Sequence, residues 1–310
     1  MDNLTSITEF FLLVNAGSRE LQVLQGLLFL VIYLGALAGN LLTFLVIVTD
    51  PHLHLPMYFF IGNLTLIDFC YISVTVPKAI VNSLMDSMLI SLKECITQSF
   101  LFLLFGSTEL FFLALMSYDR YVAICRPLHY QLILTPRFCT QIAGALWASG
   151  MVYSAAHTGT IFRLPFTKSN VIHQFFCAIP EVLSISSQSV QFSETVVLVV
   201  SVCFVLFFFI ILFISYVNIF STVHQMRSVE AQNKALSTCS PQIATAILFI
   251  FSGLFACLEP ISHASTIQSL LTAMFYSMVP PFINPIIFSL RNREIKRALS
   301  RMYNKSSKAL

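Results

Sequence analysis

The chain has 310 residues, of which 57% are hydrophobic and 10% charged, far below the roughly one quarter charged that a soluble domain carries. So few charges cannot solvate a globule of this size, and 30 Phe with a mean hydropathy of +0.82 exclude an ordinary soluble domain. A surface that faces hydrocarbon must satisfy its backbone polar groups inside helices or a closed barrel.

Residues 1–22 precede the first long apolar run and carry the tripeptide Asn3-Leu4-Thr5, which makes Asn3 a candidate glycosylation site. Met1-Asp2-Asn3 lacks the basic start of a cleavable signal, so the first span is the expected signal-anchor. Seven spans are predicted, at about 23–49, 57–84, 94–125, 137–162, 194–226, 233–259 and 265–290, each long enough to cross a bilayer as a helix. Two acids stand in mid-span, Asp68 in the second and Glu109 in the third. An ionisable group there costs roughly 2.5–3.5 kcal/mol unless it faces the bundle interior, so both need partners. Span seven holds Pro280, Pro281 and Pro285 around Asn284, which predicts a kink and freed carbonyls. In the tail, residues 291–310, Ile295, Leu299 and Met302 recur at helical spacing among basic residues, the pattern of an interfacial amphipathic helix. The expected fold is an all-α membrane protein, one seven-transmembrane helix bundle closed by a short amphipathic C-terminal helix.

An odd number of spans puts the two termini on opposite sides, and the basic residues orient them. One side collects Arg120, Arg126, Arg137, Arg227, Lys234, Arg291, Arg293, Lys296, Arg297, Arg301, Lys305 and Lys308, and the other only Arg19, Lys78, Lys93, Arg163 and Lys168. The first side is therefore cytoplasmic, and the N-terminus of this multi-pass chain lies on the outer side. This topology disqualifies the tripeptides at Asn63, inside a span, and at Asn304, in the cytoplasm.

Of the eight cysteines, six are scattered through spans or their cytoplasmic ends without the paired spacing of a metal site. Cys95 and Cys177 both face the oxidising side, where a bridge would staple the loop before span five over the bundle mouth; two free thiols are the alternative.

Span three ends in Met116-Ser117-Tyr118-Asp119-Arg120-Tyr121-Val122-Ala123-Ile124-Cys125, which resembles the signature of olfactory receptors, rhodopsin-like class A G-protein-coupled receptors. Matching it in order are Gly39-Asn40, Pro56-Met57-Tyr58-Phe59-Phe60, Leu66-Ile67-Asp68-Phe69-Cys70, Ser215-Tyr216, Lys234-Ala235-Leu236-Ser237-Thr238-Cys239 and the run from Pro281 through Asn284-Pro285 to Asn292. The resemblance covers nearly the whole chain. It implies a receptor that binds a small, volatile odorant in the outer half of the bundle. On the cytoplasmic side it implies activation of an olfactory-type stimulatory G protein that raises cyclic AMP. The expected setting is the ciliary membrane of olfactory neurons, with membrane lipid as the surrounding partner and no nucleic acid.

By the same resemblance Asp119, Arg120, Tyr121, Tyr216, Asn284 and Pro285 form the signalling switch, with Arg120 held inward at rest. Asn40, Asp68, Glu109 and Asn284 form a polar cluster. Whether it holds a sodium ion or a protonated, hydrogen-bonded carboxyl stays open, and no other cofactor or metal is expected. Helical spacing assigns Leu103, Gly106, Ser107 and Leu110 to one stripe of span three and Ile250, Gly253, Leu254 and Cys257 to one stripe of span six. Val200, Ser201 and Phe204 with Met274 and Ser277 complete the predicted wall of a mostly apolar pocket.

The sequence also departs from the family pattern. Thr167 and Ser187 stand where two further loop cysteines are usual, Phe249-Ile250-Phe251 replaces Phe-Tyr-Gly, Phe288 replaces a Tyr, and Gln242 a common His. These changes imply one bridge fewer, and either a differently wired activation network or weak coupling. The alternatives from other classes fit poorly. An intramembrane enzyme would need G-x-G-D or H-E-x-x-H, neither of which occurs. A transporter would show internal repeats with paired helix breaks, and no catalytic residues are assigned.

Overall fold

The structure is a computed structural model that describes residues 9–12, 18–163, 170–186, 188–258 and 266–309; Asn3, Thr167, Ser187 and the side chain of Cys257 lie outside the described residues. Seven long helices make the bundle: α1 (Arg19–Thr49), α2 (Pro56–Met85), α3 (Leu92–Cys125), α5 (Pro136–Ile161), α7 (Gln188–Gln225), α8 (Val229–Leu258) and α9 (Thr266–Arg291). Short helices α4 (Tyr130–Ile133) and α6 (Ile179–Ser184) lie in the connections, and α10 (Arg293–Ala309) follows the bundle. Among the described residues six of the long helices are apolar enough to cross a membrane by composition alone. The seventh, α5, is diluted by its Ser, Thr, Gly, Gln and His residues. Predicted and observed ends agree within a few residues for most spans; α7 starts earlier than the predicted span five, and α10 runs on past Met302 to Ala309.

Helix α3 is the central post, packed against α2, α5, α7 and α8, while α9 closes the ring onto α1 and α2. Small residues set how closely the helices approach, since between membrane helices packing replaces the hydrophobic drive. A Cβ on Gly39 would sit 3.0 Å from the ring of Pro285, so the Gly lets α1 reach the proline of α9. At Gly150 of α5 a Cβ would collide with Thr108 and crowd Leu104 of α3. Asn63 is held inside the bundle, its Oδ1 accepting from Trp147 Nε1 at 3.2 Å.

One end of the bundle carries a small sheet that the sequence did not announce. Strand β1 (Glu9–Leu12) lies between β2 (Leu89–Ser91), antiparallel, and β3 (Val171–Ile172), parallel. Its alternation buries Phe10 and Leu12 and exposes Glu9 and Phe11, the period of a half-buried strand. Phe10, Leu12, Ile90 and Ile172 join Phe29, Phe175 and Phe176 in one hydrophobic core at this end. A second core, built around Phe60, Phe112, Met116, Ile219 and Phe288, fills the opposite half.

At that opposite end Asn292 Oδ1 accepts from the backbone N–H of Glu294 and Ile295, at 3.1 and 3.2 Å, and so caps α10. Ile295 and Ala298 then enter the core, with Leu299 and Met302 beside them. Arg301 donates through Nε and Nη2 to one oxygen of Asp50, at 2.9 and 2.6 Å, tying the tail to the first loop. Burial works against the Asp50 carboxylate, but the Arg301 guanidinium and the backbone N–H of His52 outweigh it and hold Asp50 below its usual range.

Two expectations follow from this packing. Gly150→Ala should destabilise the detergent-solubilised protein by about 1–3 kcal/mol through overpacking, whereas Gly144→Ala, where an added Cβ meets nothing within 4 Å, should leave the thermal midpoint unchanged or slightly raised; equal midpoints for the two variants would contradict the close α3–α5 contact. Because Asp50 is depressed in the folded state, its contribution is present above the ordinary value of 3.8 and lost as pH falls below it. The protection factors of amide hydrogens in residues 293–304, corrected for the intrinsic slowing of exchange in acid, should therefore fall on acidification from pH 5 to about pH 3, and Asp50→Asn should show low protection at both.

Candidate functional site

Three buried features line up along α3. In the middle of the bundle, Asn284 Nδ2 donates to Asp68 Oδ2 at 3.0 Å and to Glu109 Oε1 at 3.3 Å, joining α9 to α2 and α3. All three side chains are buried. Asn40 does not touch the acids. Its Nδ2 donates instead to the carbonyls of Ala36 and Pro281, at 2.9 and 2.8 Å. The proline one turn on, Pro285, has no N–H with which to engage the Pro281 carbonyl, and Asn40 supplies the missing donor. Tyr71 similarly reaches, at 3.5 Å, the Tyr276 carbonyl freed by Pro280. The expected disruption is thus repaired by side chains, and α9 stays a continuous helix.

Asp68 Oδ1, Asn284 Oδ1 and Asn40 Oδ1 are buried and find no hydrogen-bond partner among the described residues. Oxygen atoms of carboxyl and amide groups are the donors that hard cations select, so Asp68, Glu109 and Asn284, which the Asn284 hydrogen bonds bring together, have the donor chemistry of a sodium site.

Toward the sheet end, a cavity of about 380 Å³ lies against this cluster, and Glu109 is part of its wall. Of the predicted pocket residues, Leu103, Gly106, Ser107 and Leu110 of α3 and Ile250, Gly253 and Leu254 of α8 line it. Five others do not. Val200, Ser201 and Phe204 border a separate groove between α5 and α7, where Ser201 Oγ lies 2.6 Å from His157 Nε2; α7 turns Val205 and Phe209 to the cavity instead. Helix α7 is apolar on every face, so no stripe in its sequence marks the inward one. On α9 the wall is Tyr276 and Pro280, while Ser277 is fully buried with its hydroxyl spent on the Ala273 carbonyl at 2.6 Å. Met274 packs into the sheet-end core. Sequence reasoning missed Tyr71, Phe102, Tyr153 and Tyr276, which come from helices or faces that no periodicity singles out. The Ser107 hydroxyl lies 3.2 Å from its own helix at the Leu104 carbonyl.

Aromatic rings roof the cavity. Phe102 stacks near Tyr71, Phe176 and Tyr276, with centroids 4.8, 5.1 and 6.2 Å apart, and Tyr276 Oη donates to Gln174 at 2.8 Å. The disulfide Cys95–Cys177 anchors this loop to the first turns of α3 with its Cα atoms 5.5 Å apart. Gln98 accepts from the Cys177 N–H at 2.8 Å, and Ser99 donates to the Cys177 carbonyl at 3.1 Å.

At the other end of α3, Arg120 folds back onto Asp119, with Nε 2.8 Å from Oδ2. It is almost fully buried. Tyr130 of α4, which the sequence had not flagged, donates to the second Asp119 oxygen at 2.9 Å. Burial and the Asp119 carboxylate push its hydroxyl well above the ordinary range, so it stays a donor. Tyr216 is buried in the core around this pair, and Tyr121 stands half-buried beside Tyr118, centroids 6.2 Å apart. Beyond it a polar crevice of about 740 Å³ opens between Met57 and Tyr58 of α2, Lys234 and Thr238 of α8, and Asn292 with Arg293.

Comparison with known proteins is consistent along the whole chain. A family model described as olfactory receptor matches residues 29–306. Human olfactory receptor 14I1 is 53% identical over 305 residues, covering 98% of each chain. Human olfactory receptor 14C36 is 46% identical, over 97% of each chain, and human olfactory receptor 14A16 is 44% identical, over 96% of each chain. Among solved structures, squid rhodopsin superposes with a TM-score of 0.74 over 93% of this chain and 82% of its own, at 18% identity, a likeness of fold.

Proposed function

The chain belongs to the olfactory receptor family, and from that premise we propose that its buried cavity is the odorant site and that its ligand drives a stimulatory heterotrimeric G protein to raise cyclic AMP. As a member of that family it is a membrane signalling receptor of the plasma membrane, not an enzyme. The observation that carries the proposal is the double role of Glu109, which lines the cavity and also accepts from Asn284. A ligand that alters the Glu109 environment acts directly on the link between α3 and α9. The same α3 carries Asp119 and Arg120 at its far end.

The sheet end faces outward, a reading supported by the twelve-to-five split of basic residues and by the disulfide beneath the sheet. The ciliary membrane is the expected setting on family grounds. The crevice around Lys234, Asn292 and Arg293 is then the surface offered to the G protein. Binding on one face favours the bundle state that binds on the other, and the coupling is reciprocal. At rest the Asp119 carboxylate, held by Tyr130, keeps Arg120 out of the crevice. Asp68, Glu109 and Asn284 are the residues that would hold a sodium ion, whose charge would offset the two carboxyls; a proton on one carboxyl does the same work. The cavity wall, aromatic and aliphatic with few hydroxyls, selects a small, weakly polar molecule.

The test is cyclic-AMP accumulation in cells with verified surface expression, across a broad odorant panel. The wild type should respond and Arg120→Ala should not. Gly253→Phe should abolish the response while surface expression holds, because a Cβ there meets no atom of the described residues within 4 Å and the position is part of the cavity wall. A full response from Gly253→Phe would place the odorant elsewhere. Removing the Tyr130 hydroxyl deletes a hydrogen bond to a charged group worth about 1.5–3 kcal/mol. Tyr130→Phe should accordingly raise ligand-independent cyclic AMP several-fold, and an unchanged basal signal would remove Tyr130 from the resting latch.

A further inference from the structure

We propose a second ligand site, on the membrane-facing flank between α2 and α3, that takes one acyl chain of a phospholipid with an anionic headgroup. The groove measures about 610 Å³ and shares no lining residue with the odorant cavity. Its length is apolar, walled by Phe69 and Val74 of α2 and by Leu101 and Phe105 of α3. Its outer end is ringed by Lys78, Lys93 and Glu94.

The charges at that rim select the occupant. Lys78 lies seven residues before the last residue of α2, Met85, or roughly 10 Å below the helix end at 1.5 Å per residue. That depth, at the boundary of headgroups and acyl chains, is where a lysine needs an anion beside it. Glu94 supplies one, with its oxygens 3.3 and 3.4 Å from Lys78 Nζ. The same carboxylate also accepts from Ser91 N and Oγ, at 3.0 and 3.1 Å, in the capping box of α3. One carboxylate against two ammonium groups leaves a net positive charge at the mouth of an apolar slot. A phosphate-bearing lipid with net negative charge complements both halves, whereas a zwitterionic lipid complements only the slot.

Occupancy has a structural consequence. Gln98 borders the groove while its amide donates to the Val74 carbonyl at 3.1 Å and accepts from the Cys177 N–H. A lipid seated there braces α2 against α3 next to the strap that holds the roof of the odorant cavity. The position of the headgroup in the outer leaflet rests on the orientation given above; binding in a bilayer of identical leaflets does not.

The experiment uses the purified full chain in nanodiscs of phosphatidylcholine with and without phosphatidylglycerol. Retained lipid is read by native mass spectrometry. Cys70, a half-buried free thiol on the groove wall, reports occupancy through its labelling by a bilayer-soluble maleimide, quantified on its own peptide. Phosphatidylglycerol should be retained over phosphatidylcholine and should slow Cys70 labelling several-fold. Lys93→Gln, which removes a charge without breaking the Lys78–Glu94 pair, should weaken retention about fivefold, the effect of one basic residue at a membrane surface. Thr97→Trp, an exposed position on the groove wall, should abolish retention by filling the slot. Equal retention of the two lipids overturns the proposal, as does a preference that survives both substitutions. Displacement of the phospholipid by oleate at equal concentration would assign the groove to a free fatty acid and overturn it as stated. None of these readouts depends on an odorant or a G protein, so they stand apart from the signalling assay.

Discussion

The bundle depends on one amide nitrogen. Asn284 Nδ2 is shared by carboxyls from two other helices, Asp68 on α2 and Glu109 on α3. In the low-dielectric interior of a membrane protein a lone carboxyl is too costly to keep, so these acids constrain where three helices sit. They also leave oxygens unsatisfied. An arrangement that lacks donors is one that a cation, a proton or a small displacement of α9 can improve, and such a layer can have two states of similar energy.

The neighbouring prolines show how the same helix tolerates its own breaks. Pro280 and Pro285 each remove an N–H, and the carbonyls thus freed, of Tyr276 and Pro281, face Tyr71 and Asn40. The repair comes from α1 and α2, so the shape of α9 is maintained by helices far from it in sequence. Gly39 completes the arrangement by letting α1 come within contact of the Pro285 ring. The Gly39-Asn40 pair therefore works as a unit, one residue giving access and the next a donor.

Much of this was legible in the sequence because hydrocarbon imposes simple rules. The seven spans, the amphipathic tail at Ile295, Leu299 and Met302, the buried acids and the bridge between Cys95 and Cys177 all follow from apolar run length, charge cost and compartment. The residues that helical spacing places on one stripe of α3, Leu103, Gly106, Ser107 and Leu110, and on one stripe of α8, Ile250, Gly253 and Leu254, do line the cavity. On α7 the small polar residue Ser201 turns to His157 of α5, and the inward face is that of Val205 and Phe209 rather than the expected Val200, Ser201 and Phe204. On α9 the inward face was placed on Met274 and Ser277, off the stripe of Tyr276 and Pro280. The small sheet was invisible for a different reason: its three strands have four, three and two residues, too short for a periodic signal. The tie between Asp50 and Arg301 carries no local signal, because the two residues are 251 positions apart.

The central place of β1 in that sheet has a consequence for biogenesis. Its antiparallel partner pairs Phe10 with Ile90, and its parallel partner pairs Leu12 with Ile172. The first strand to leave the ribosome is thus the last that can be completed, since β3 reaches the far side only after α5 has been inserted. Until then β1 has at most its β2 partner, and contacts this distant in sequence are slow to form. Closure of the sheet therefore requires that β3, which follows α5 in the chain, reach the face where β1 and β2 already lie, so the sheet can be completed only after the first four long helices are in place.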